Sequence, residues 1–414
     1  MAAPAPARNR RAWTKLFKPL FSGLPRGVVL LGFVSMLMDI SSEMIHGLLP
    51  VYLSAGLGAN MLIIGLIEGF AEAIAASVKI FSGILSDYLG KRKLLVATGY
   101  GMAALSKPVF PLAQSLGWVI AARFLDRTGK GIRGAPRDAL IADITAKQHR
   151  GAAYGLRQSM DTVGAFAGPL LAIVLMAASG DDFKLVFWVA VIPAFLSFAL
   201  VIFGVQEPAA ARDPAKAPET PIRWRELRRL PAAYWAVVAV GAALTLARFS
   251  EAFLVLRANE LGLALALSPL VLVAMNVVYS LSAYPAGRFS DGRNRFTPVA
   301  IGVALLVAGD LVIASSQNLM GLTAGIVLWG LHMGFTQGLL AALVADTAPA
   351  HLRGTGFGLF NLISGLMMLA ASVIAGALWH GFGASFTFYA GALFATVSLV
   401  GLLFLRHPRG ENRD

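Results

Sequence analysis

Long apolar runs alternate with short polar breaks along the whole chain, and the runs show neither the period of two of a half-buried strand nor the interruptions of a soluble domain. Twelve of them reach the roughly 20 residues that cross a bilayer as a helix. Their limits are 28–54, 61–86, 93–114, 117–143, 152–178, 184–204, 232–257, 266–290, 296–316, 320–345, 355–379 and 383–405. Backbone polar groups inside lipid must be paired within the segment or within a closed barrel, and barrel strands would alternate polar and apolar residues. The pattern therefore predicts an all-α membrane protein of twelve spans.

Composition agrees. Of 414 residues, 57% are hydrophobic and 14% charged, against about 25% charged in a soluble domain. The net charge of +13 raises nucleic-acid binding as a function class, and the distribution of charge removes it. Arg8, Arg10, Arg11, Lys15, Lys18 and Arg26 precede span 1, and Lys91, Arg92 and Lys93 fill the next loop on that side. Arg223, Arg225, Arg228 and Arg229 lie between spans 6 and 7, and Arg293, Arg295, Arg353, Arg406 and Arg409 continue the series. The opposite loops, such as SAGLGAN and AQSLG, carry almost none. This bias is the positive-inside pattern and predicts cytoplasmic termini. The basic, acid-poor first 26 residues resemble an organellar transit peptide, but they run straight into a full-length span and read as a cytoplasmic tail. The chain has no cysteine, which excludes disulfides and thiolate metal sites.

The spans form two sets of six. GILSDYLGKR at 83–92 is matched by GRFSDGRNRF at 287–296, an offset of 204, and ADITAKQHRGAAYGL at 142–156 by ADTAPAHLRGTGFGL at 345–359, an offset of 203. Two segments some sixty residues apart that keep almost the same displacement imply a repeat. The organisation that follows is a basic tail (1–27), a six-helix bundle (28–205), a Pro- and charge-rich linker (206–231), a second six-helix bundle (232–405) and a short tail (406–414). Two such pseudo-symmetric bundles, with a site between them, are an architecture of alternating-access transporters.

The chain resembles the major facilitator superfamily over all twelve spans. Gly83, Asp87, Gly90, Lys91 and Arg92 match the motif after span 2, with Asp291 its copy in the second half and Tyr88 where an Arg is common. The resemblance implies that this loop latches the halves on the cytoplasmic side. Gly155, Gly164, Gly168 and Pro169 match the family's antiporter motif in span 5 through its Gly-Pro step, with Ala172 and Ile173 in place of the closing glycines. Small residues there allow close helix packing, and Pro169 removes one backbone bond. DISSEMIHGLLP, GLIEGFAEA and RFLDRTGKGIRGAPRDALIAD are similar to a bacterial branch that includes exporters assigned to nickel resistance, although His407 stands alone where a His-rich tail is common. The resemblance to that branch implies a bacterial cytoplasmic membrane.

Ionised residues at mid-membrane cost roughly 2.5–3.5 kcal/mol each, so their number implies a polar cavity, mutual pairing or both. Arg157 and Asp161 are four apart and Arg248 and Glu251 three apart, spacings that let each pair neutralise itself on one helix face. In span 1, Asp39, Glu43 and His46 share a face with no Lys or Arg on the helix. Two acids so close repel in low dielectric, which lets one take up and release a proton near neutral pH. The same trio has donors suited to a divalent cation such as nickel, cobalt or zinc. Span 2 repeats the pattern with Glu68 and Glu72 above Lys79, and span 4 carries the complementary stripe Arg123, Arg127, Lys130 and Arg137, offset in part by Asp126 and Asp138. In the superfamily, spans 1, 2 and 4 line the cavity of the first half. The resemblance also places Arg123 on the buried Arg of the span-4 motif, with Asp126 and Arg127 replacing the usual Gln-Gly.

The second half holds fewer buried charges, so cargo contacts there would fall to Asn276, Tyr279, Tyr284, Gln337 and Asn361. FSE at 249–251 echoes SSE at 41–43, which makes Glu251 the candidate counterpart of Glu43. GKGIRG at 129–134 fits a dinucleotide fingerprint but falls inside a spanning helix, and no phosphate-loop, zinc-protease or serine-hydrolase signature occurs. The chain is expected to be no enzyme and to need no cofactor. It reads as a monomeric proton-gradient-driven antiporter, with Asp39, Glu43, Glu68, Glu72 and Arg123 coupling proton movement to export of a small cation, metal or drug. Two alternatives stand beside it: an organic-anion carrier using the span-4 stripe, and a receptor or scaffold that does not transport.

Overall fold

A computed structural model describes residues 24–89, 91–146, 150–206, 230–290, 296–349 and 353–405. Among them are twelve long helices: α1 (Arg26–His46), α2 (Met61–Leu89), α3 (Arg92–Ser106), α4 (Leu116–Ile144), α5 (Arg150–Ser179), α6 (Phe183–Gly204), α7 (Ala232–Ala247), α8 (Leu270–Ser290), α9 (Phe296–Ser315), α10 (Leu319–Thr347), α11 (Arg353–Phe382) and α12 (Ala384–Leu405). The twelve-span all-helical fold expected from the apolar pattern is the fold observed. Large apolar side chains cover the outside, with Phe81, Phe203, Leu281 and Phe404 all exposed. In water such a surface would aggregate, and in lipid it is the surface required. Ten spans are long and apolar enough to cross a membrane by composition alone. The other two are α3, which stops after 15 residues, and α4, whose buried faces carry Arg123, Asp126, Arg127 and Arg133. The glycines at 129–134 lie inside α4, so the dinucleotide fingerprint has no loop to form.

Three spans expected to be continuous are broken. Span 1 turns at Gly47–Leu48 and resumes as Leu49–Val51, with Pro50 in its first turn, and then a wide π turn at Tyr52–Gly56. Span 3 turns at Lys107–Pro108 and resumes at Val109–Leu112. Proline explains both, since it cannot donate to the preceding turn. Span 7 breaks at Arg248–Ser250, with Arg248 at φ −99°, ψ 70°, and resumes as Ala252–Glu260. No proline lies there; Ser250 is held from outside, its N–H donating to Ser372 Oγ of α11 at 3.3 Å.

The halves meet most extensively where α2 runs against α11. Gly65 lies against the Ser372 carbonyl and Gly376 against that of Met61, approaches that leave no room for a Cβ. At the end of the bundle away from the termini, Gly47 sits on Pro269, where a Cβ would lie 2.9 Å from the proline ring. One apolar core runs through this far end of the first half and on into the second, with Met44, Leu49 and Ile64 joining Val255, Met275 and Trp329. At the end bearing the termini, the first half has a separate core of its own around Val34, Tyr100 and Leu140. The bundles are thus joined at the far end and parted toward the termini.

Candidate functional site

The space between the bundles is a polar cavity of three adjoining lobes. The lobe nearest the termini, about 460 Å³, is walled by Asp39, Glu43, Lys79, Lys130, Arg133 and Asp161. A second-half lobe of about 400 Å³ carries Arg248, Gln337, Asn361 and Ser364. The innermost, about 300 Å³, brings Glu43, His46 and Lys130 of the first half to Arg248, Glu251 and Asn276 of the second. Glu72 borders all three.

Two helices that run in the same direction build the most rigid wall. Glu68 and Glu72 on α2 and Arg123 and Arg127 on α4 each repeat at i, i+4, so they meet as two rungs. Arg123 Nη2 lies 2.6 Å from Glu68 Oε2 with both side chains buried, and Arg127 Nη1 lies 3.2 Å from Glu72 Oε1. Lower on α4, Arg137 donates to Ser35 of α1, and the Arg133 guanidinium stacks 4.8 Å above the Tyr100 ring. Arg157 and Asp161 close at 2.5 Å, and Arg157 also reaches Asp138 at 3.7 Å.

Helix α1 is held differently. Gly164 and Gly168 of α5 lie directly against it: a Cβ on Gly164 would sit 2.7 Å from the Met36 carbonyl and 2.8 Å from Asp39 Cβ. On Gly168 it would sit 2.7 Å from the Ile40 carbonyl and 2.9 Å from Glu43 Cβ. The stripe of small residues thus clamps the backbone of α1 at the two positions that carry its acids. Both carboxylates face the cavity. Among the described residues, neither Asp39 nor Glu43 has a hydrogen bond or an ion pair within 4 Å, in contrast to Glu68, Glu72, Asp126 and Asp161.

Several sequence expectations are corrected. Arg248 and Glu251 do not pair, because the break in span 7 removes the helical register that would have stacked them. The trio Asp39, Glu43 and His46 does not gather into a metal site, and no three such ligands converge among the described residues. His46 is occupied otherwise: Arg123 Nη2 lies 3.0 Å from its Nδ1, and a guanidinium, having only donors, both uses that nitrogen and repels a cation. Tyr279 packs against the apolar core close to Arg248 and is not among the residues that border these three lobes. Arg92 makes its ion pair with Asp143 of α4 at 2.6 Å, inside its own half. Lys91 is exposed, and Gly83 packs on Ala135. Gly90 and Asp291 lie outside the described residues, as do the surroundings of Asp87, Gly155 and Tyr284. Pro169 is inside α5.

Two partners escaped the sequence reading. Lys107, at the break in span 3, is buried and reaches Asp126 at 2.8 Å and Ser42 at 3.1 Å. The signal was available in part: Lys107 is a lysine well inside span 3, and span 4 offers an acid, Asp126, on a neighbouring helix. In the second half, Asp310 is fully buried and accepts from Trp329 Nε1 at 2.8 Å.

Twelve spans in two bundles, with a charged cavity that is sealed at one end, define a membrane carrier. The chain belongs to the major facilitator superfamily, whose family model matches residues 31–372. An uncharacterised MFS-type transporter of Methanocaldococcus jannaschii is 32% identical over 391 residues, covering 92% of this chain and 95% of the relative. The inner membrane transport protein YajR of Escherichia coli K12 is 25% identical over 394 residues, covering 91% and 83%. Among solved structures, a bacterial homologue of the human lysosomal transporter Spinster, in an inward-facing and occupied conformation, superposes with a TM-score of 0.73 at 13% identity, covering 92% of this chain and 96% of that one. The protein is an integral membrane secondary transporter of a family of transporters, not enzymes.

Proposed function

We propose that this transporter is a proton-coupled antiporter that exports a small solute bearing a positive charge, with Asp39 and Glu43 as the groups that exchange proton for cargo. One contrast carries the reading. Among the described residues, every other acid of the first-half wall is paired with a Lys or Arg, while Asp39 and Glu43 face the cavity with no partner within 4 Å. Unpaired acids bordering a water-filled space can hold either a proton or a cation, and exclusive occupancy by one or the other is the requirement for antiport. Glu68 and Arg123, locked together, serve as scaffold and fix His46 beside them. The basic ends of the loops favour cytoplasmic termini, and the inner-membrane relative supports that membrane as the location. The state described is then open to the cytoplasm. A bare metal ion is the weakest cargo, since the only imidazole on α1 is taken by Arg123.

Cargo would be sought by comparing metal and cationic-drug sensitivity of a strain lacking the gene, and its flux followed in proteoliposomes under an imposed pH gradient. Asp39→Asn with Glu43→Gln should lower gradient-driven flux at least about tenfold, equivalent to about 1.4 kcal/mol. Flux that ignores the gradient, and is unchanged in the double variant, overturns the assignment.

A further inference from the structure

The innermost lobe holds four charges that no protein group satisfies. Glu43 and Lys130 come from the first half, and Arg248 and Glu251 from the second. Among the described residues none of the four has a hydrogen bond or ion pair within 4 Å, whereas Glu68, Glu72 and Arg127, which share the lobe, are tied into the two rungs between α2 and α4. The unsatisfied set is two acids and two bases. It sums to zero, and each half supplies one charge of each sign.

The backbone marks the same place. Irregular backbone within a span persists only where it lines a cavity or is buried in protein, since lipid offers no partners for the freed groups. The break in span 7 presents Arg248, Phe249, Ser250 and Glu251 to this lobe. It is held from behind by the ring of Phe249, which packs on Trp329 at 5.8 Å and Phe388 at 5.4 Å. Breaking the helix separates Arg248 from Glu251, two groups an intact helix would have allowed to cancel. Arg248 also borders the second-half lobe, where its neighbours are the neutral polar groups Thr245, Gln337, Asn361 and Ser364, and the sole acid, Glu72, is held by Arg127. The Ser364 hydroxyl has no partner there.

We propose that the cargo is amphoteric: its anionic group, a carboxylate or an acid of similar size, docks on Arg248 in the second-half lobe, and its ammonium group lies between Glu43 and Glu251 in the innermost lobe. A purely cationic guest would leave Arg248 and Lys130 facing it, and a purely anionic one would leave both acids. A guest with both charges a few bonds apart satisfies the lining with no net charge brought in, and it bridges the two bundles. This inference rests on the cavity being the cargo site of the proposed transporter, but not on which acids couple to protons.

Binding without any gradient tests it. The full-length chain, purified in detergent, would be unfolded thermally with butylamine, butyrate or 4-aminobutyrate at equal concentration, and with the six-carbon triplet hexylamine, hexanoate and 6-aminohexanoate. A ligand that binds only the folded state stabilises it by RT ln(1 + L/Kd), with L the free ligand concentration, and so raises Tm. The amphoteric member of at least one triplet is expected to raise Tm, with the single-charge members giving little shift. Arg248→Gln should abolish that rise and Arg248→Lys keep part of it. Because the chain has no cysteine, Arg248→Cys offers a second readout: modification with an aminoethyl thiosulfonate should restore the shift, and a sulfonatoethyl reagent should not. An amine that stabilises the protein as well as its amphoteric counterpart, in both the parent and Arg248→Gln, overturns the proposal. So does a uniform lack of response to both triplets. The assay uses no gradient and leaves Asp39 and Glu43 in place, so an unchanged flux in Asp39→Asn with Glu43→Gln overturns the coupling reading alone, while the loss of the amphoteric shift overturns the cargo reading alone.

Discussion

In the first bundle the wall charges are mostly spent on one another; in the second, the charges that reach the cavity are kept apart. Glu68 with Arg123, Glu72 with Arg127, Asp126 with Lys107 and Asp161 with Arg157 all pair within the first six helices. Arg248 and Glu251, only three residues apart, are separated by a break in their helix. A buried pair fixes geometry, and removing one partner strands the other in a medium that cannot solvate it. An unpaired charge beside water keeps its interaction energy for a guest. The first half therefore reads as a rigid frame carrying two free acids on α1, and the second as the side that completes the cargo site.

The largest expected effect tests that division directly. Arg123→Ala should cost about 3–5 kcal/mol, because Glu68 is left buried and uncompensated, and Arg123→Met with Glu68→Leu should recover most of the loss. Arg248→Ala should cost under about 1 kcal/mol, since no protein group loses a partner. Unfolding of the purified variants in a denaturing detergent series measures both. Equal costs for Arg123→Ala and Arg248→Ala would erase the distinction between frame and site.

A second contrast lies in the helices that hold the cavity walls. Gly168 of α5 approaches the Ile40 carbonyl, where a Cβ would stand 2.7 Å away. In the second half, Gly241 of α7 faces Phe360 of α11, where a Cβ would lie 2.7 Å from a ring carbon at the end of a side chain. Backbone cannot swing aside and a ring edge can. Gly168→Ala should therefore cost about 1–3 kcal/mol and displace Glu43, with gradient-driven flux falling along with stability, while Gly241→Ala should stay near the lower end of that range with flux kept. Thermal unfolding and proteoliposome flux on the two variants decide it. The comparison breaks if Gly241→Ala uncouples as strongly.

The fold was readable because its signals are long-range averages: apolar runs of full span length, and two segments repeated at nearly one offset. The helix faces were readable too, since spacing alone put Glu68 and Glu72 on one side of α2 and Arg123 and Arg127 on one side of α4. Which face meets which neighbour was not. Asp39 and Glu43 have the same spacing as Glu68 and Glu72, yet the bases of α4 form ion pairs with only the second set of acids, and nothing local distinguishes the two. The break at Arg248–Ser250 was equally hidden, because it has no proline or glycine and is held by Ser372, more than a hundred residues on. Tertiary contact overrides local pattern at such positions, and they are the ones that line the cavity.

The smallest effect concerns the loop after α2. Arg92 meets Asp143 at 2.6 Å, with side chains 20% and 29% exposed. Both residues belong to the first half, so in this state the pair braces α3 against the end of α4 and does not tie the bundles together. A partly exposed pair of this kind contributes up to about 1 kcal/mol and weakens in salt. Arg92→Gln should lower stability by no more than that, with the difference from the parent shrinking as salt is raised in the thermal assay. A loss comparable to Arg123→Ala would show that Arg92 bears on the junction between the bundles, and the frame would then extend beyond the walls of the cavity to the loop after α2.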